Sequence, residues 1–156
     1  SKNKVSEADA QAKKIIDDYF ESFPSIRRFI DETLQFAKAN GFVQTIFGRR
    51  RYIADINSSN ANLRAFAERN AVNAPIQGSA ADIIKLAMIA VDRTLREKGL
   101  RARMVLQIHD ELLFDAIPEE VDVLKRIVTE EMENVMELSI PLTVECNHGN
   151  NWLEAH

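Results

Sequence analysis

The sequence predicts an α+β fold in which helices pack against a small, mainly antiparallel sheet. Three observations carry this. Apolar residues recur at helical spacing through most of the first hundred residues. The stretch VLQIHDELLFD, Val105 to Asp115, then reads as two apolar strands facing each other across a two-residue turn. A further helix and the short strand PLTVECN follow, so an α-heavy first part precedes a ββαβ order, which one layer of helices on one sheet satisfies. No repeat, low-complexity tract or Gly/Ser linker divides the 156 residues, and one compact unit is expected.

Each element has a local reason. Ser6 with Asp9 resembles a capping box, and Ala12, Ile15, Ile16, Tyr19 and Phe20 form a stripe ending near Phe23. Pro24 suits a first helical turn, and Ile26, Phe29, Ile30, Leu34 and Ala37 continue to a stop at Asn40-Gly41. FVQTIFGRRRYIADI gives two strands around Gly48, with Val43, Thr45, Ile46, Tyr52 and Ile53 as β-type residues and the arginines at the junction. An Ala-rich helix is expected from about Asn60 to Lys98, kinked at Pro75 and stopped by Gly99. Residues 103–108 and 111–116 form the hairpin. Pro118 opens a helix to about Met136, and Trp152 is expected to anchor the tail by packing. Core packing is the plain reading of every apolar stripe.

Composition bounds the function. With 46% hydrophobic and 28% charged residues the chain has ordinary globular usage. The single cysteine, Cys146, reads as an inert thiol in a reducing, cytoplasmic setting. No apolar run approaches the roughly 18 residues needed to span a bilayer, and no secretion signal opens the chain, so a soluble protein without a membrane partner is expected. A net charge of −4 gives no overall basic field. Any nucleic-acid contact must therefore come from a local patch.

The hairpin tip is the chemical anomaly. Two-residue turns favour Asn-Gly or Asp-Gly because their central residues need positive φ, yet here they are His109 and Asp110, followed by Glu111. A tight turn that accepts this cost holds short side chains rigidly beyond a sheet edge. Carboxylates so placed suit a hard cation such as Mg²⁺, which takes only one or two protein carboxylates. Neighbouring strand residues point to opposite faces, so Asp110 is the better ligand. A solvated polar turn is the alternative, and His109 alone, as general acid or base, is a weaker candidate.

QIHDELLF resembles the third conserved motif of family-A DNA polymerases of bacteria, and ERNAVNAPIQGSAADIIKLAM resembles the helix preceding it. TIFGRRRYIADINSSN and the closing GNNWLEAH are similar to the same C-terminal region. The resemblance covers nearly the whole chain, in the family's order. It implies an incomplete polymerase palm, with 1–43 as the C-terminal helices of the fingers and 44–156 as the distal palm. It implies that Asp110 binds catalytic Mg²⁺, one of two ions in the complete enzyme. Glu111 then supports that site, and His109 lies near the primer terminus. Arg69, Asn73 and Gln77 are implied to contact primer and template along the helix. Their spacing of four suits one helical face, with contacts independent of base sequence. Arg49, Arg50 and Arg51 would neutralise phosphates or form a solvated turn.

The family's second metal-binding aspartate and its nucleotide-gripping helix do not occur in these residues. The expected whole is a DNA-directed DNA polymerase, a nucleotidyltransferase of replication and repair, acting on primer-template DNA and dNTP. The chain itself is expected to be an inactive C-terminal fragment, its partner the rest of the polymerase chain, with an open sheet edge that favours self-association. A metal-dependent phosphohydrolase using the His-Asp-Glu tip and a non-enzymatic helical binding module are the rivals. Neither explains NAPIQGSAAD and QIHDE in one chain.

Overall fold

Helix boundaries fall where the capping chemistry puts them. The computed structural model describes the backbone of residues 2–155 and the side chains of residues 10–155. Helix α1 spans Lys2–Ser22 and α2 Pro24–Asn40, with Pro24 in the first turn of α2. Gly41, at φ 76°, closes α2 by donating its N–H to the Ala37 carbonyl at 2.8 Å. The Ser6 and Asp9 side chains of the expected capping box, and His156, lie outside the described residues. Strands β1 (Phe42–Gln44) and β2 (Arg50–Tyr52) pair antiparallel, followed by α3 (Ala61–Glu97), β3 (Arg103–Ile108) and β4 (Glu111–Asp115). A 3₁₀ turn (Pro118–Glu120), α4 (Val121–Glu133) and α5 (Trp152–Ala155) complete the order. The α+β class stands, with two two-stranded antiparallel sheets.

Contacts group Ser1–Ile76 and Gln77–His156 into two compact units. In the first, small residues of α3, Ala67, Ala71 and Ala74, form a core with Ala37, Val43, Ile53 and Ile56, and Leu34 packs against it. Asn60 caps α3, its Oδ1 accepting the Asn62 N–H at 2.9 Å, and Lys38 pairs with Glu68 at 2.7 Å. The stripe of α1 departs from the core-packing expectation. Ile15 and Ile16 stay 63% and 53% exposed, and Tyr19 meets the rings of Phe20 and Phe23.

In the second unit, Val91 and Leu95 of α3 pack with Ala102 and with Leu124, Ile127 and Val128 of α4. Thr94 donates its hydroxyl to Glu131 at 2.6 Å across those helices. Gly99, at φ 66°, ends α3 in a Schellman motif, with Leu100 N–H on the Leu95 carbonyl and Gly99 N–H on that of Arg96, both 3.0 Å. The Glu120 carboxylate then takes the backbone N–H groups of Arg101 and Ala102 at 2.8–3.0 Å and fixes the start of β3. A bulge at Val105 shifts the register between Met104↔Phe114 and Leu106↔Leu113.

Helix α3 runs on through Pro75, where proline removes the N–H that would bond the Ala71 carbonyl. Three expectations are corrected. The same helix is long and apolar enough, by length and composition, to cross a membrane, with 22% of its 18-residue apolar stretch buried. PLTVECN forms no strand. Exposure still alternates along 141–147, but the Val144 N–H goes to the Glu133 carboxylate at 3.0 Å instead of a ladder. Cys146 packs at the core edge with its sulfur 3.6 Å from the Thr129 hydroxyl. Trp152, 49% exposed, does not anchor the tail by burial. A capping box orders the last turn locally: Asn151 Oδ1 accepts the Glu154 N–H at 3.1 Å, and Glu154 accepts from Asn150 N–H and from both asparagine amides. The Asn150 N–H, then the two amides, hold the Glu154 carboxyl below the usual carboxylate range.

Glu120→Ala strips three hydrogen bonds from the entry to β3. It lowers unfolding stability by about 1–3 kcal/mol in urea titrations. Hydrogen exchange then quickens at residues 101–104 while α4 keeps its protection.

Candidate active site

The β3–β4 ladder runs to Ile108↔Glu111, so two residues must reverse the chain. His109, at φ 52°, is the one non-glycine residue with positive φ among the described residues, and Asp110 stays negative. That sign pattern belongs to a II′-type turn rather than the I′ type, which needs positive φ twice. Histidine tolerates the conformation at a cost glycine would avoid. Gln107 offsets part of it: its side-chain amide donates to the His109 carbonyl. Sequence reasoning missed this residue, although a lone amide between Leu106 and Ile108, just before the turn, was a signal.

His109, Asp110 and Glu111 are all exposed, the first two in the turn and the third at the start of β4. Among the described residues no group of three His, Cys, Asp or Glu side chains converges to hold an ion. A single turn carboxylate is half a site for a hard cation, not a closed cage. Arg69 and Asn73 are exposed on α3 in the first unit, Arg69 with its guanidinium 5.9 Å from the Phe66 ring centre. Gln77, one turn further along the same continuous helix, is exposed in the second. Arg49 closes the β1–β2 loop through backbone bonds with Thr45, while Arg50 and Arg51 lie in β2 itself rather than at the junction. Arg50 lies 4.6 Å over the Phe42 ring.

A helix-rich α+β chain with an acidic, strained hairpin tip after a long helix has the arrangement of a polymerase palm segment. The profile of DNA polymerase family A matches residues 2–154, and the chain belongs to that family. It is 54% identical over 144 residues to DNA polymerase I of Caldicellulosiruptor bescii, covering 92% of this chain and 17% of that protein. It is 46% identical over 153 residues to DNA polymerase I of Streptococcus pneumoniae, covering 98% and 17%. A solved structure, the POL domain of Pol1 from M. smegmatis in complex with DNA primer-template and dNTP, superimposes with a TM-score of 0.90 at 45% identity. That match covers 93% of this chain and 26% of the other. The chain thus spans 17% of the length of these DNA polymerase I relatives.

The turn conformation itself can be tested. His109→Gly keeps or raises stability, by up to about 1 kcal/mol, because glycine reaches positive φ freely. His109→Val lowers it by about 1–2 kcal/mol, since a β-branched side chain resists that backbone. Urea midpoints of both variants against the parent chain read the difference.

Proposed function

We propose that this chain is part of a DNA-directed DNA polymerase that adds dNTP to a primer 3′-hydroxyl by phosphoryl transfer, in replication or repair in the cytoplasm. The observation that carries the reading is a carboxylate, Asp110, fixed on a two-residue turn in a chain of this family. The solved relative held primer-template and dNTP, and the same ligands are proposed here. Asp110 would help hold Mg²⁺, and a pair of such ions would supply charge to activate the attacking hydroxyl and stabilise the leaving pyrophosphate.

The chain's own residues do the positioning. Asp110 presents carboxylate oxygens at a place the ladder fixes, so little ordering cost remains when a ligand arrives. Glu111, the first residue of β4, supports the turn's field beside Asp110. His109 carries a ring beside the carboxylate and lies near the primer terminus. Arg69, Asn73 and Gln77 follow one another by four along α3 and bind sugar, phosphate and minor-groove atoms, which engages duplexes of any sequence. Arg49, Arg50 and Arg51 add phosphate contacts. Residues 1–43 serve as the rear of the fingers and 44–156 as the distal palm, completed by the remaining polymerase chain.

One turn carboxylate cannot place two cations, so the 156 residues alone do not extend primers. Val105 and Leu106, 54% and 45% exposed on β3, leave the isolated chain prone to self-association, and its light-scattering mass rises with concentration. In a polymerase that carries this chain complete, Asp110→Asn lowers primer extension by at least about 10³-fold with primer-template affinity within about threefold. Template-directed incorporation by the isolated chain, or a polymerase indifferent to Asp110→Asn, contradicts the reading.

A further inference from the structure

We infer that the outer face of the β1–β2 hairpin is a binding platform for single-stranded nucleic acid, where bases stack on Tyr52 beside the Arg50 guanidinium. The inference rests on the polymerase reading for its ligand class, but its geometry stands apart from Asp110.

The register puts Phe42 opposite Tyr52 and Gln44 opposite Arg50, so these four side chains share one face. Val43, paired with Arg51 on the other face, is buried at 2% and fixes which side looks inward. On the outer face Tyr52 stays 72% exposed, yet its ring is not loose. It meets Phe42 edge to face at 5.7 Å, and Phe42 meets Phe36 of α2 at 5.5 Å. Arg50 lies over the Phe42 ring at 4.6 Å, which pre-orders a flat cation next to the open phenol. Strand and helix thus support two flat surfaces from beneath.

A solvated hairpin does not need this arrangement. An open aromatic ring costs hydration, whereas a base presents a π-face of matching size whatever its sequence. The charge selects the partner. On this face stands Arg50, in a chain whose net charge is −4, and among the described residues it has no carboxylate partner within ion-pairing distance. A guanidinium beside an open ring suits a polyanion carrying unpaired bases. A duplex hides those faces in its stack.

The test measures anisotropy of fluorescent twelve-nucleotide strands on the chain: oligo-dT, an abasic strand of equal length, and a blunt duplex. Tyr52→Leu, which keeps an apolar side chain but no flat ring, weakens oligo-dT binding about tenfold, while abasic-strand and duplex binding stay within about twofold. Tyr52→Trp restores oligo-dT binding. Arg50→Gln weakens oligo-dT and the abasic strand alike and lowers the salt slope by about one. Equal oligo-dT binding by wild type and Tyr52→Leu overturns the proposal, as does an equal loss on the abasic strand. Should Tyr52→Leu lose its circular dichroism spectrum, the wild-type chain decides with a 5-iodouracil strand. Photocrosslinks to the peptide containing Tyr52 support the platform, and crosslinks confined to other peptides overturn it. None of these readouts needs catalysis, so a failure here leaves the Asp110 result standing, and the reverse.

Discussion

The candidate site depends on one constraint, the reversal of the chain between Ile108 and Glu111 in two residues. Pairing persists to the end of both strands, so the turn has no slack and His109 must take a positive φ. Gln107 braces the His109 carbonyl, and at the other end of β3 the Glu120 carboxylate holds the backbone of Arg101 and Ala102. Between those fixed ends Met104 and Phe114 pack on the core that α4 builds. The backbone that carries Asp110 at the tip of this arm is thereby held in place, and the proposed ligand role of Asp110 draws on that.

The two units solve packing differently. In the first, alanines of α3 let Val43 and Ile53 approach the helix backbone closely, so a short three-residue hairpin has a firm base. In the second, bulky residues of α4 fill the space, while the bulge at Val105 twists β3 and leaves apolar side chains facing out. Both units therefore present ordered outer surfaces: a ring and a guanidinium on one hairpin, a carboxylate on the other.

Much of this was legible in the residues. Pro24 and Gly41 bracket α2, Asn60 and Gly99 bracket α3, and the missing glycine between two apolar runs marked the strained turn, because these effects are local. Non-local outcomes were not legible. PLTVECN has a strand's alternation, but a strand needs a neighbour's backbone, and Glu133 took the Val144 N–H instead. The stripe of α1 has helical spacing without the burial that spacing usually implies. In the tail, the Asn151–Glu154 capping box lay in plain view beside a tryptophan that drew the attention. At the site, the turn named Asp110, but only the family resemblance gave Arg69, Asn73 and Gln77 roles, since exposed polar residues at helical spacing are common.

The central claim is that the turn presents Asp110 as half of a divalent-cation site. Nuclear magnetic resonance of the isotopically labelled chain during titration with Mn²⁺, a paramagnetic stand-in for Mg²⁺, tests it most directly. The account predicts that the amides of His109, Asp110 and Glu111 broaden before all others, at roughly millimolar concentration as for weak oxygen-ligand sites, and that Asp110→Asn abolishes the effect. Broadening that begins elsewhere, or that survives Asp110→Asn unchanged, would contradict it.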